Sequence, residues 1–67
     1  MKTKASRLCI YPKDVQLITG KSYKQSRLLL KKVKIHFGKS ADQFVSVPEF
    51  CDYTGLSLEE VSALLNL

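Results

Sequence analysis

A chain of 67 residues, 45% of them apolar, with a formal net charge of +5, is one small domain: too apolar for a disordered tail and too short for a large core. No apolar run approaches the roughly 20 residues of a membrane span, and Leu8 to Tyr11 is too short for a signal-peptide core, so a soluble, cytoplasmic protein is expected. Cys9 and Cys51 lie far apart, with no CxxC spacing and no histidine cluster. They read as small buried hydrophobes, and neither metal nor cofactor is expected. A core of this size supplies only about 3–5 kcal/mol, which makes association with a second chain a reasonable expectation.

Along the chain, residues 1–10 read as a basic arm carrying Lys2, Lys4 and Arg7, and 11–67 as the folded domain. The stretch from Arg7 to Tyr11 has extended character. Pro12 suits the first turn of a helix, where a missing N–H costs nothing. A helix over about 12–19 turns Val15, Ile18 and, at its margin, Leu17 toward the core. Gly20 ends it, because glycine accepts the left-handed conformation that a tight C-cap needs. Ser22 is the next N-cap, with Gln25 at capping-box spacing, and the helix it opens runs to about Phe37 and stops at Gly38. Phe44-Val45 is a candidate brief strand. Ser46 and Glu49 repeat the box before a short helix through Phe50 and Tyr53, ended by Gly55. Ser57 and Glu60 form a third box, opening a last helix with Leu58, Val61, Leu64 and Leu65 turned inward. The expected fold is all-α in the main: four helices in two helix-turn-helix units, 12–37 and 46–66, with at most one short pair of extended segments.

The two units share a phrase but not a charge. Asp14-Val15-Gln16-Leu17-Ile18-Thr19-Gly20-Lys21-Ser22 returns 35 positions later as Glu49-Phe50-Cys51-Asp52-Tyr53-Thr54-Gly55-Leu56-Ser57. All 11 Lys and Arg lie in 1–40 with Asp14 as the one acid there, about +10, whereas 41–67 holds five acids and no base, −5. The halves attract each other, but surface ion pairs contribute only about 0–1 kcal/mol each, too little to require such segregation. A basic half creates a positive potential that draws phosphate.

The long helix sharpens this. At about 100° per residue, Tyr23, Ser26, Leu29, Leu30, Val33 and Phe37 gather on one face as the core stripe. Lys24, Arg27, Lys31 and Lys34 fall on an adjacent face: a solvated lysine face, or the footprint of an element lying along a DNA groove. In helix-turn-helix proteins the helix after the turn enters the major groove N-terminus first. Lys21, Tyr23, Lys24, Gln25 and Arg27 occupy that place here, Gln suited to adenine and Arg or Lys to guanine. Lys31 and Lys34 suit phosphate, Ser22 and the first-turn N–H groups can hold another, and Lys2, Lys4 and Arg7 on the arm add phosphate or minor-groove contacts. The corresponding C-terminal helix offers Glu59, Glu60, Ser62 and Asn66, and its carboxylates repel phosphate. The first unit is therefore expected to bind and the second to support it.

An apolar residue, Thr-Gly-x-Ser and an amphipathic helix (Ile18 to Ser22, then the long helix) together resemble the helix-turn-helix of small bacterial regulators, above all excisionase-like and MerR-like DNA-binding modules. The resemblance covers about 12–37 and again about 47–66. In the C-terminal copy Phe50, Cys51, Gly55, Leu56, Ser57 and Val61 stand where such motifs place core residues. The N-terminal copy departs at Gln16, where a small residue is usual, and at Lys21, where an apolar one is. The resemblance implies binding of double-stranded DNA by a transcriptional regulator or an accessory recombination factor.

Leu28 and Ile35 sit seven apart on the far side of the basic strip from the core face. Either Leu8, Ile10 or the last helix covers them, or they meet a homodimer mate or another protein; a dimer would supply two half-sites. The alternative function is thus a non-catalytic protein-interaction module working through this surface or the acidic C-terminal helices. Charge alone admits RNA as well as DNA, although no aromatic platform of the RRM or OB kind is visible. His36, the single histidine, reads as a solvated or capping residue. With no carboxylate pair, Gly-rich phosphate loop, HExxH or Ser/His/Asp set, neither catalysis nor a small-molecule substrate is expected.

Overall fold

The computed structural model describes residues 9–66. Its elements are β1 (Cys9–Ile10), α1 (Pro12–Thr19), α2 (Tyr23–His36), β2 (Val45–Ser46), α3 (Val47–Thr54) and α4 (Leu58–Leu64), a mainly helical fold with one small sheet. Cys9 and Ile10, at the end of the basic arm, belong to the folded part. Lys2, Lys4, Arg7 and Leu8 lie outside the described residues.

Local bonds explain where each helix starts and stops. α1 begins at an extended Tyr11, whose N–H donates to Asp14 Oδ2 at 2.8 Å, with Pro12 in the first turn. The Asp14 carboxylate also complements the positive end of the helix. Gly20 ends α1 at φ 77°, its N–H donating to the Gln16 carbonyl at 2.8 Å. The Thr19 hydroxyl donates to the Val15 carbonyl at 2.7 Å and accepts from the Lys21 N–H at 3.1 Å. Ser22 Oγ then accepts the Gln25 N–H at 3.2 Å and starts α2. α2 closes in a Schellman motif: the Gly38 N–H (φ 69°) donates to the Ile35 carbonyl at 3.1 Å and the Lys39 N–H to the Lys34 carbonyl at 2.8 Å.

The second unit repeats these bonds 35 residues on. The Ser46 N–H donates to Glu49 Oε1 at 3.0 Å, and Ser46 Oγ accepts the Glu49 N–H at 3.1 Å. Gly55 ends α3 at φ 80°, the Thr54 hydroxyl donates to the Phe50 carbonyl at 2.8 Å and accepts from the Leu56 N–H at 3.3 Å, and Ser57 Oγ takes the Glu60 N–H at 3.2 Å. Of the three boxes expected from sequence, only Ser46–Glu49 closes in both directions; at Ser22 and Ser57 the serine half forms alone.

The two units meet at the sheet. β1 and β2 pair antiparallel, Ile10 opposite Val45 and Cys9 opposite Ser46. Ile10 and Val45 are counterparts at the 35-residue offset, so the pairing brings each unit's entry residues against the other's. α1 packs on α2, α2 on α3 and α3 on α4, around a core of Ile10, Val15, Leu30, Val33, Val45, Val47, Phe50, Cys51, Val61 and Leu65. Ile18, Leu29 and Phe37 pack against it half-buried.

Of the residues expected inside, Leu17, Tyr23, Leu56, Leu58 and Leu64 are exposed, as are Gly55 and Ser57 of the second turn. Leu17 lies about 200° around α1 from Val15. Tyr23 and Leu58 are the first residues of their helices, where the chain is still entering the layer. Leu64 falls beside the Val61–Leu65 stripe of a helix that packs chiefly on α3 alone. Among the described residues, no helix is long and apolar enough to cross a membrane.

Candidate nucleic-acid interface

The interface begins with the turn that Gly20 and Ser22 build, because it leaves the N-terminal half of α2 in solvent. Lys21, Ser22, Tyr23, Lys24, Gln25, Arg27 and Lys31 are all exposed, and Lys34 is half-buried. Tyr23 therefore joins the outer surface and not the core stripe. Lys32, outside the strip picked out by helical spacing, is exposed as well. Among the described residues, none of Lys21, Lys24, Arg27, Lys31 and Lys32 is in an ion pair. The pair that does form is Lys39 Nζ with Glu49 Oε1, at 3.1 Å. α1, α3 and α4 each carry an acid in the first turn, and α2 carries none. The positive end of its dipole is thus reinforced by Lys21 and Lys24.

Lys24, Arg27, Lys31 and Lys34 do more than face solvent. They form one side of an open groove of about 630 Å³ whose opposite side is made by Ile10, Tyr11, Ala41, Phe44 and Val45. Leu28 and Ile35 line the same groove, which joins the basic strip and the apolar pair that lie on successive faces of α2. They are 50% and 70% exposed, so neither Ile10 nor α4 covers them.

The far wall is fixed by short bonds. Lys34 Nζ donates to the Ala41 carbonyl at 3.0 Å, across the loop 38–44. The Ser40 N–H donates to Gln43 Oε1 at 2.7 Å, and the Gln43 N–H returns to the Ser40 carbonyl at 3.1 Å. The Lys39–Glu49 pair ties the loop to α3. Phe44, 62% exposed, is held edge-to-face against Tyr11 with ring centroids 6.2 Å apart and planes at 79°. The sequence allows for one short pair of extended segments, Arg7–Tyr11 and Phe44-Val45, but gives it no register. Pairing them about the repeat offset, Ile10 opposite Val45, is the signal that sets Tyr11 opposite Phe44.

Glu49 is held below the usual carboxylate range, first by the Ser46 N–H and then, against a modest burial penalty, by Lys39. Burial pushes the Cys51 thiol above its ordinary value. Cys9 and Cys51 are both free thiols. His36 is exposed and makes edge-to-face ring contacts with Phe37 and Tyr53, centroids 4.8 and 5.2 Å away. Among the described residues, no three His, Cys, Asp or Glu side chains cluster closely enough to hold a metal ion. No protein family, curated protein or solved structure matches the chain.

Proposed function

We propose that the protein is a small, non-catalytic DNA-binding protein, a transcriptional regulator or accessory recombination factor, with α2 as its contact element. One observation carries this reading: a run of exposed cations along α2, without ion pairs among the described residues, at a helix N-terminus that no acid neutralises. Such an arrangement costs the folded monomer some stability, and phosphate restores it. Lys21, Tyr23, Lys24, Gln25 and Arg27 are the side chains nearest base edges when α2 enters a major groove N-terminus first, and Lys31, Lys32 and Lys34 then follow the phosphates. α4 presents Glu59 and Glu60 at the matching positions, which suits support and not binding.

A salt titration of duplex binding tests it. If Lys24, Arg27, Lys31 and Lys34 touch phosphate, log K falls with log salt at about −0.9 per contact, roughly −3 to −4 in all. Lys24→Ala with Arg27→Ala is expected to flatten that slope by about 2. No duplex binding at low salt, or binding indifferent to these alanines, refutes the reading.

A second reading is favoured by the exposure of Leu28 and Ile35: a protein partner covers them. A symmetric dimer across this face sets Lys24, Arg27 and Lys31 of one copy against those of the other, so a partner of opposite charge fits better. A stable protein complex that Leu28→Asp abolishes supports this second reading. Monomeric sedimentation with no partner retained counts against it.

A further inference from the structure

We infer that the groove beside α2 takes a single-stranded polynucleotide, with a base stacked on the Phe44–Tyr11 wall and the backbone phosphates along Arg27, Lys31 and Lys34. The inference rests on the nucleic-acid reading above and names the form of the strand at one part of that surface.

The lining sets the chemistry. Among the described residues that line it, five are Lys or Arg, none is Asp or Glu, and none is Ser, Thr, Asn or Gln. A ligand that fits must therefore be anionic and present flat apolar faces, and it finds almost no neutral hydrogen-bonding group to read it. An unpaired nucleotide chain has these properties: the phosphates meet the cations, and each base has a π-face for an aromatic ring. A duplex keeps its bases stacked inside, so it reaches the cations but leaves Phe44 unused. A second copy of this chain brings a cationic rim against a cationic rim. An acidic helix satisfies the lysines, Leu28 and Ile35, but makes no particular use of the exposed aromatic ring on the opposite wall.

The site is held in place before any ligand arrives. Phe44 is exposed, yet its loop is fixed by Lys34 to the Ala41 carbonyl, by the Ser40–Gln43 turn and by Lys39 to Glu49. Lys34 has further N–H donors to offer after bonding Ala41. Because the lining reads no base edge, binding is expected to tolerate any sequence and to treat DNA and RNA strands alike.

The test is fluorescence anisotropy on the whole chain at low salt, with labelled DNA and RNA single strands of about 12 nucleotides and a duplex of the same sequence. Both single strands are expected to bind. Phe44→Leu, which keeps apolar cover but removes the π-face, is expected to weaken them about ten-fold, as is Phe44→Ala, while Phe44→Tyr retains binding. Duplex affinity is expected to be unchanged in all three variants. Single-strand affinity unaltered by Phe44→Leu overturns the inference, as does an equal loss for duplex and single strands. So does a Leu/Glu-rich acidic peptide that fills the groove when no oligonucleotide competes with it. Duplex binding without single-strand binding sinks this inference alone; binding of neither sinks the DNA reading with it.

Discussion

The two helix–turn–helix units of this protein share a backbone and differ in almost everything placed on it. Each has a first-turn acid receiving the N–H three residues before it, a threonine bonded back to the preceding turn, a glycine near φ +80° and a serine cap. At matching positions, however, Lys24 corresponds to Glu59, Gln25 to Glu60, Ser26 to Val61 and Val15 to Phe50. α2 runs for 14 residues and α4 for 7. Turn and cap residues specify that a unit forms, through bonds spanning two to five residues. The helix faces specify what it does, through packing on one side and charge on the other. The same scaffold thus gives one unit whose second helix exposes cations and another whose second helix exposes Glu59 and Glu60.

That asymmetry of the core gives the largest expected effect. Phe50 and Val15 are equivalent, and both are completely buried. Phe50→Ala is expected to cost about 3–5 kcal/mol, enough to unfold a domain whose core supplies about that much. Val15→Ala removes far less side chain and is expected to cost about 2 kcal/mol. Urea unfolding followed by circular dichroism reads both. Equal losses would mean that the two units share the core evenly.

The turns should behave in the opposite way, as equals. Gly20 and Gly55 have nearly the same positive φ, and a Cβ added at either meets no atom within 4 Å. Gly20→Ala and Gly55→Ala are therefore each expected to cost only the left-handed backbone penalty, about 1–2 kcal/mol. A clear difference between them would show that the two turns are not equivalent parts of the scaffold.

Legibility in the sequence follows the same division. Pro12, Gly20, Ser22, Gly38, Ser46, Gly55 and Ser57 each mark a boundary within a residue or two, because caps are local chemistry. Helical spacing correctly turned Ser26, Leu30 and Val33 inward but overcounted at Leu17, Tyr23, Leu58 and Leu64, since a small domain has too few neighbours to cover every apolar residue at a helix end. The cations of α2 were legible as a strip. The groove beside them was not, because its far wall depends on β1 meeting β2, which brings Tyr11 to Phe44 across 33 residues. No local pattern encodes that pairing except the repeat itself.

Ser26 offers a smaller test in the direction of gain. Its side chain is fully buried, and its hydroxyl has no hydrogen-bond partner among the described residues. The second unit places Val61 at the matching position in the core. Ser26→Ala removes an unsatisfied polar group and improves helix propensity, and is expected to stabilise by about 1 kcal/mol. A loss of similar size would mean that the hydroxyl is satisfied in solution, for instance by an ordered water.

The smallest effect concerns the loop that bridges the units. Glu49 holds its proton less tightly in the folded chain than its ordinary value of 4.5, chiefly through the Ser46 N–H and secondarily through Lys39. A carboxylate lowered on folding contributes stability that is complete above its unfolded value and fades as pH falls through the folded one. Glu49→Gln is expected to cost at most about 1 kcal/mol at neutral pH, and its deficit should shrink as the wild type is acidified below 4.5. Lys39→Ala removes only the ion pair and leaves the cap, so its neutral-pH cost is expected to be smaller still. A deficit in Glu49→Gln that stayed constant with pH would place the contribution in the shape of the cap and not in its charge. The second unit would then hold the Phe44 loop without electrostatic help.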